Sequence, residues 1–162
     1  MKEKLAFVRL PLLLVLVFFA GRVLMGAALG ANKTTYDLSN RIFSMVILQV
    51  HVALLWSAVG RRYRSYSLGG SITAVLIVTI VSQILIFAGT ALSYLAGADT
   101  LFNFPEALNA AAPVPFGEAL VRRTATFIGN CILTAIIAAI GWSLGRLLPD
   151  MSTVATRTGG LR

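Results

Sequence analysis

Residues 41–64 read RIFSMVILQVHVALLWSAVGRRYR: nineteen residues free of Lys, Arg, Asp and Glu separate Arg41 from a cluster of three arginines. A helix rises 1.5 Å per residue and the hydrocarbon core of a bilayer is about 30 Å thick, so about 20 apolar residues cross it. Residues 41–60 are therefore predicted to span a membrane, with Arg61, Arg62 and Arg64 at lipid headgroups on the cytoplasmic side. The same stretch holds the one histidine of the chain, His51, two residues from Gln49.

Outward from this segment the pattern repeats. The chain has 162 residues, 57% hydrophobic and 12% charged, and a mean hydropathy of +0.84. About a quarter of the residues of a soluble domain are charged, so lipid is the expected solvent. Further spans are predicted at about 5–30, 71–96 and 118–148, giving an all-α polytopic membrane protein, a bundle of four transmembrane helices over residues 1–149. Residues 150–162 hold too few apolar side chains to fold and read as a mobile cytoplasmic tail. Lys2, Lys4 and Arg9 before an apolar run resemble a signal peptide, but Arg22 lies beyond that run, and the segment reads as an uncleaved first span. Pro11 is placed in its first turns, where a lost backbone donor costs least.

Basic residues set the orientation. Lys2, Lys4, Arg9, Arg61, Arg62, Arg64, Arg146, Arg157 and Arg162 fall on one side, against Lys33, Arg41, Arg122 and Arg123 on the other. Both termini are predicted to be cytoplasmic, in a bacterial plasma (inner) membrane, with Arg122-Arg123 the discordant pair. The net charge of +8 arises from these flanks, so membrane lipids rather than nucleic acid are the expected partners. Of the connections, 31–40 reads as a short polar link with Ser39 or Asn40 capping the next helix. Residues 98–117 read as an interfacial segment, helical from near Pro105, that lays its aromatics into the membrane surface.

Small residues mark helix-packing faces. Gly89, Ser93 and Gly97 recur at steps of four in the third span, and Asn130, Thr134, Ala138, Gly141 and Gly145 share one face of the fourth. That second face is expected to pack on the Gly89-Ser93-Gly97 stripe or on a neighbouring subunit. Gly26 and Gly30 offer a weaker site of the same kind.

Candidate chemistry is sparse. His51 is the one candidate for cofactor binding, as a haem ligand or quinone contact, set against a histidine bonded within the bundle to Gln83 or Asn130. With one histidine and one cysteine, Cys131, no metal site is expected within a chain, and no cofactor. Arg22 is costly inside a membrane unless it snorkels outward or meets a carboxylate, a lipid phosphate or an anionic substrate. No HExxH, GxSxG or P-loop pattern is present. The function expected is that of a non-enzymatic integral membrane subunit, an accessory component of a larger complex or an oligomer of itself. The alternatives are a small transporter or channel protomer and, more weakly, an anchor for haem or quinone near His51.

Overall fold

The computed structural model describes residues 2–149; the tail at 150–162 lies outside the described residues. The chain is all-helical, with no strand among the described residues, and four helices are long and apolar enough to cross a membrane. The elements are α1 (Lys2–Leu29), α2 (Lys33–Ile42), α3 (Met45–Arg64), α4 (Leu68–Leu95), a 3-10 turn at Pro105–Leu108, α5 (Phe116–Leu144) and a 3-10 turn at Gly145–Leu147. The four helices expected as spans are present with shifted ends. Residues 31–40, expected as an open link, form most of α2 instead. Asn32 supplies its cap by accepting from the Thr35 N–H at 2.9 Å, and Ser39, expected as a cap, is buried against the bundle. Ser44 then caps α3 and Ser67 caps α4.

α3 and α4 lie at the centre, with α1 packed on α4 and α3 from one side and α5 packed on both from the other. The most extensive of these interfaces joins α3 to α5. The apolar core is built from slender side chains, Val8, Val15, Val52, Val75 and Val78 with Ala53, Ala74 and Ala138, so helices approach closely. One polar network crosses it: the Gln49 amide donates to Ser82 Oγ at 2.6 Å, and the Gln83 amide donates to Gln49 Oε1 at 3.3 Å.

Pro11 is not in the first turns of its helix, because α1 begins at Lys2 and runs through it. Proline has no N–H to give to the carbonyl four residues back, here that of Phe7. The Trp56 indole N–H of α3 donates to that carbonyl at 3.0 Å. The defect that proline leaves in one helix is thus repaired by a neighbour, and the repair fixes α1 against α3. Trp56→Phe should destabilise the fold by about 1–3 kcal/mol by leaving a buried acceptor unpaired. In a Pro11→Ala background the helix can supply its own bond, so the same change should cost less. Unfolding midpoints of the four members of this cycle in neutral detergent would check it, and equal losses in both backgrounds would reject the coupling.

Candidate functional site

At the end of the bundle that carries α2, residues 98–115 fold inward rather than spreading outward. Leu101, Phe102 and Leu108 are buried within the chain. The Phe102 ring lies 3.0 to 3.2 Å from where a β-carbon on Gly89 would stand, and 5.1 Å from the Phe19 ring. Phe104 meets Tyr36 at 5.2 Å. The expectation that these aromatics insert into the membrane surface is corrected for Phe102 and Phe104: the glycine gap in α4 and the rings of α1 and α2 give them an interior to fill.

Two arginines hold this segment from beneath. Arg22 of α1 donates to Asn40 Oδ1 at 2.7 Å and to the Leu101 carbonyl at 3.2 Å, with its guanidinium 5.2 Å from the Tyr36 ring centre. Arg123 of α5 donates to Thr90 Oγ1 at 2.9 Å and to the Phe102 carbonyl at 2.7 Å. They are 9% and 8% exposed, so neither snorkels. Among the described residues neither forms an ion pair with a carboxylate. Their acceptors are neutral, and both cations border a cavity of about 180 Å³ that is also lined by Tyr36, Asn40 and Thr126. Glu106 lies in its wall too, but sits 3.6 Å from Lys33. Arg122, adjacent in sequence, pairs with Glu118 at 2.8 Å and donates to the Asn109 carbonyl at 2.8 Å, and is not among the residues that line the cavity.

The other sequence candidates fall elsewhere. His51 is on an exposed face of α3 and bonds neither Gln83 nor Asn130: its Nδ1 lies 2.8 Å from the Ile47 carbonyl of its own helix, and Gln83 bonds Gln49. Gln49 takes the interior position instead. Asn130 is half-buried and its amide nitrogen has no hydrogen-bond partner among the described residues. Arg61 stacks on Trp142, 3.7 Å from the ring centre, and donates to the Trp142 carbonyl at 3.1 Å. Arg62 is half-buried and Arg64 exposed.

The two small-residue stripes do not meet each other. Gly89 receives Phe102, Ser93 bonds Thr100 at 2.6 Å, and Gly97 takes a left-handed φ of +59° past the end of α4. Gly26 faces Leu101, and Gly30 closes α1 at φ +79°. On α5, Thr134 meets Thr79 of α4 at 3.0 Å, whereas Gly141 and Gly145 lie directly on the α3 backbone at Leu54 and Ala58. A β-carbon at Gly141 would stand 2.8 Å from the Leu54 carbonyl carbon, and one at Gly145 2.7 Å from the Ala58 oxygen. Sequence periodicity located both stripes; the size of the ring that fills the first is not encoded in the stripe itself. Arg123 was missed because it reads as half of a surface pair, and only its Thr90 partner, the residue next to the Phe102 contact at Gly89, gives it away.

No family model, curated protein or solved structure matches the chain.

Gly141→Ala should force α3 and α5 apart and cost about 1–3 kcal/mol, the usual penalty for overpacking. Gly129→Ala, on the same helix with open space around it, should be neutral or stabilise by up to about 1 kcal/mol through helix propensity. Thermal unfolding in neutral detergent would compare them, and equal midpoints would reject the close approach.

Proposed function

We propose that this chain is a non-enzymatic integral membrane protein that works as a structural or accessory subunit, its four long helices spanning a bacterial plasma membrane. The observation that carries this reading is the position of His51. It lies six residues after Met45, about 9 Å along α3, and ten before Arg61, about 15 Å from the basic end. That depth is hydrocarbon on the proposed topology, and the side chain is exposed on the surface of the bundle. With Nδ1–H given to the Ile47 carbonyl, Nε2 is left as an acceptor facing outward. Lipid tails offer it no donor, whereas a neighbouring helix with a hydroxyl or amide does.

The runner-up, a transporter protomer, draws less support. Of His51, Gln83, Asn130 and Arg22, the groups expected to line a path formed on oligomerisation, Gln83 bonds Gln49 in the core, Arg22 is held by Asn40 and the Leu101 carbonyl at one end of the bundle, and His51 and Asn130 share no hydrogen bond. The glycines of the fourth span are used within the chain against α3, so partner contact falls to exposed faces such as the Ile47-His51-Leu55 ridge, which places one imidazole between two exposed apolar side chains.

Purification in mild detergent with native mass measurement is the test. The parent should carry additional subunits or copies, His51→Leu should release them with an unfolding midpoint little changed, and His51→Gln, which keeps an acceptor, should retain them. A parent that runs as a single chain in detergent and gives no cross-links in membranes would reject the reading.

Both ends are proposed to face the cytoplasm, with 98–115 on the opposite side. Alkaline phosphatase fused at Asn109 should be active and fused at Ser67 inactive; the reverse pattern would overturn the orientation.

A further inference from the structure

We propose that the cavity between Arg22 and Arg123 binds a phosphate-type oxyanion. This site is independent of the subunit reading and of His51. Three observations converge on it. Both arginines are more than nine-tenths buried, yet among the described residues they meet neutral groups only: the acceptors Asn40, Thr90 and the carbonyls of Leu101 and Phe102, and for Arg22 the Tyr36 side chain. Arginine cannot shed its proton in a protein, so burial has to be offset by an anion rather than by neutralisation. Each guanidinium has five N–H donors, and the acceptors above occupy two on each.

The second observation is space. The cavity measures about 180 Å³, where a water needs only about 10–15 Å³ on the same kind of measure, so a group of several heavy atoms fits between the arginines. The planar fork of arginine matches the oxygens of a phosphate in a bidentate manner, and two forks reaching adjacent carbonyls, 101 and 102, present donors to one small volume. The two carboxylates nearby do not compete: Glu106 is drawn to Lys33, and Asp99 lies at the far rim, outside this cavity.

The third observation concerns what adjoins it. Arg22 and Phe102 also form walls of a groove of about 380 Å³ between α1 and α4, lined by Phe19, Val23, Ala27 and Leu92, of which Val23 and Leu92 are open to the surroundings. A phosphate group at the arginines can therefore belong to a free ion or to an amphiphile whose chain lies in that groove. The chemistry recognised is the same, and the source is decided by experiment.

Full-length protein in a neutral maltoside detergent would be titrated with inorganic phosphate, with a short-chain phosphatidic acid, and with the matching diacylglycerol that lacks the phosphate. Thermal midpoint and calorimetric affinity are the readouts. At least one phosphate-bearing probe should bind and stabilise the parent, and the diacylglycerol should not. Arg22→Gln and Arg123→Gln should each weaken binding about tenfold or more, the effect of losing hydrogen bonds from a charged group, while Arg122→Gln should not. Much tighter binding of phosphatidic acid than of phosphate assigns a lipid headgroup; equal binding assigns the free ion. The proposal is overturned if neither phosphate probe binds, or if both bind the two glutamine variants as well as the parent. Should those variants fail to fold, Ala107→Met, which fills the wall of the cavity and leaves the arginines in place, decides: undiminished binding rejects the site.

Discussion

A buried backbone carbonyl that no helix supplies with a donor must find one elsewhere in the chain, and this constraint ties the molecule together at both ends. Phe7, deprived of its bond by Pro11, takes the Trp56 indole. Tyr66, in the turn between α3 and α4, takes the Trp142 indole at 2.8 Å. At the other end Leu101 takes Arg22, and Phe102 takes Arg123 and the Thr90 hydroxyl. In each case the donor comes from a different helix, so meeting a local need also fixes a pair of elements. Unmet acceptors in an apolar surrounding cost several kcal/mol each, more than any single contact between the slender side chains of the core. Tryptophan and arginine suit the task because each carries a donor at the end of a long side chain whose body packs on apolar surface.

Close approach and long-range donation are two parts of one design. Gly141 and Gly145 let the α5 backbone lie on α3, and that contact brings Trp142 and Arg61 within stacking distance. Gly21 admits the Phe43 ring, whose atoms would lie 2.6 to 2.8 Å from a β-carbon there, and so sets where α2 turns into α3. Gly89 does the same for Phe102, which carries the carbonyl that Arg123 holds. Small residues therefore act at three places as sockets for a specific neighbour rather than as a general lubricant between helices.

Much of this was legible in the sequence, and the boundary is physical. Four apolar runs of membrane length, the opposition of Gln49 and His51 around one helix and the common face of Thr134, Ala138, Gly141 and Gly145 follow from period and length, which are local properties. α2 was not read as a helix, although KTTYDLSNRI follows a cap in Asn32 and is amphipathic at helical spacing, because it is short and polar overall and lies between two long apolar runs. The partners of the glycines were not legible either, since a stripe states that something comes close and not what. Least legible were Arg22 and Arg123, whose acceptors lie 79 and 21 residues away in a segment rich in proline and aromatics that read as a surface feature.

The burial of Arg123 bears on the one feature that conflicted with the charge count. Basic residues influence orientation as charges presented near the ends of spans, not as members of a folded interior. Of the four on the α2 side, Arg123 is internal, Arg122 is matched by Glu118 at 2.8 Å, and Lys33 stands within 3.6 Å of both Asp37 and Glu106. On the opposite side Arg61 stacks on a neutral indole and keeps its charge at the helix end. The paired arginines have different surroundings: Arg122 belongs to the surface chemistry of the bundle end, and Arg123 to the cavity, where its cost of burial is met by two neutral acceptors, Thr90 Oγ1 and the Phe102 carbonyl, and is lowered further when the proposed anion joins them.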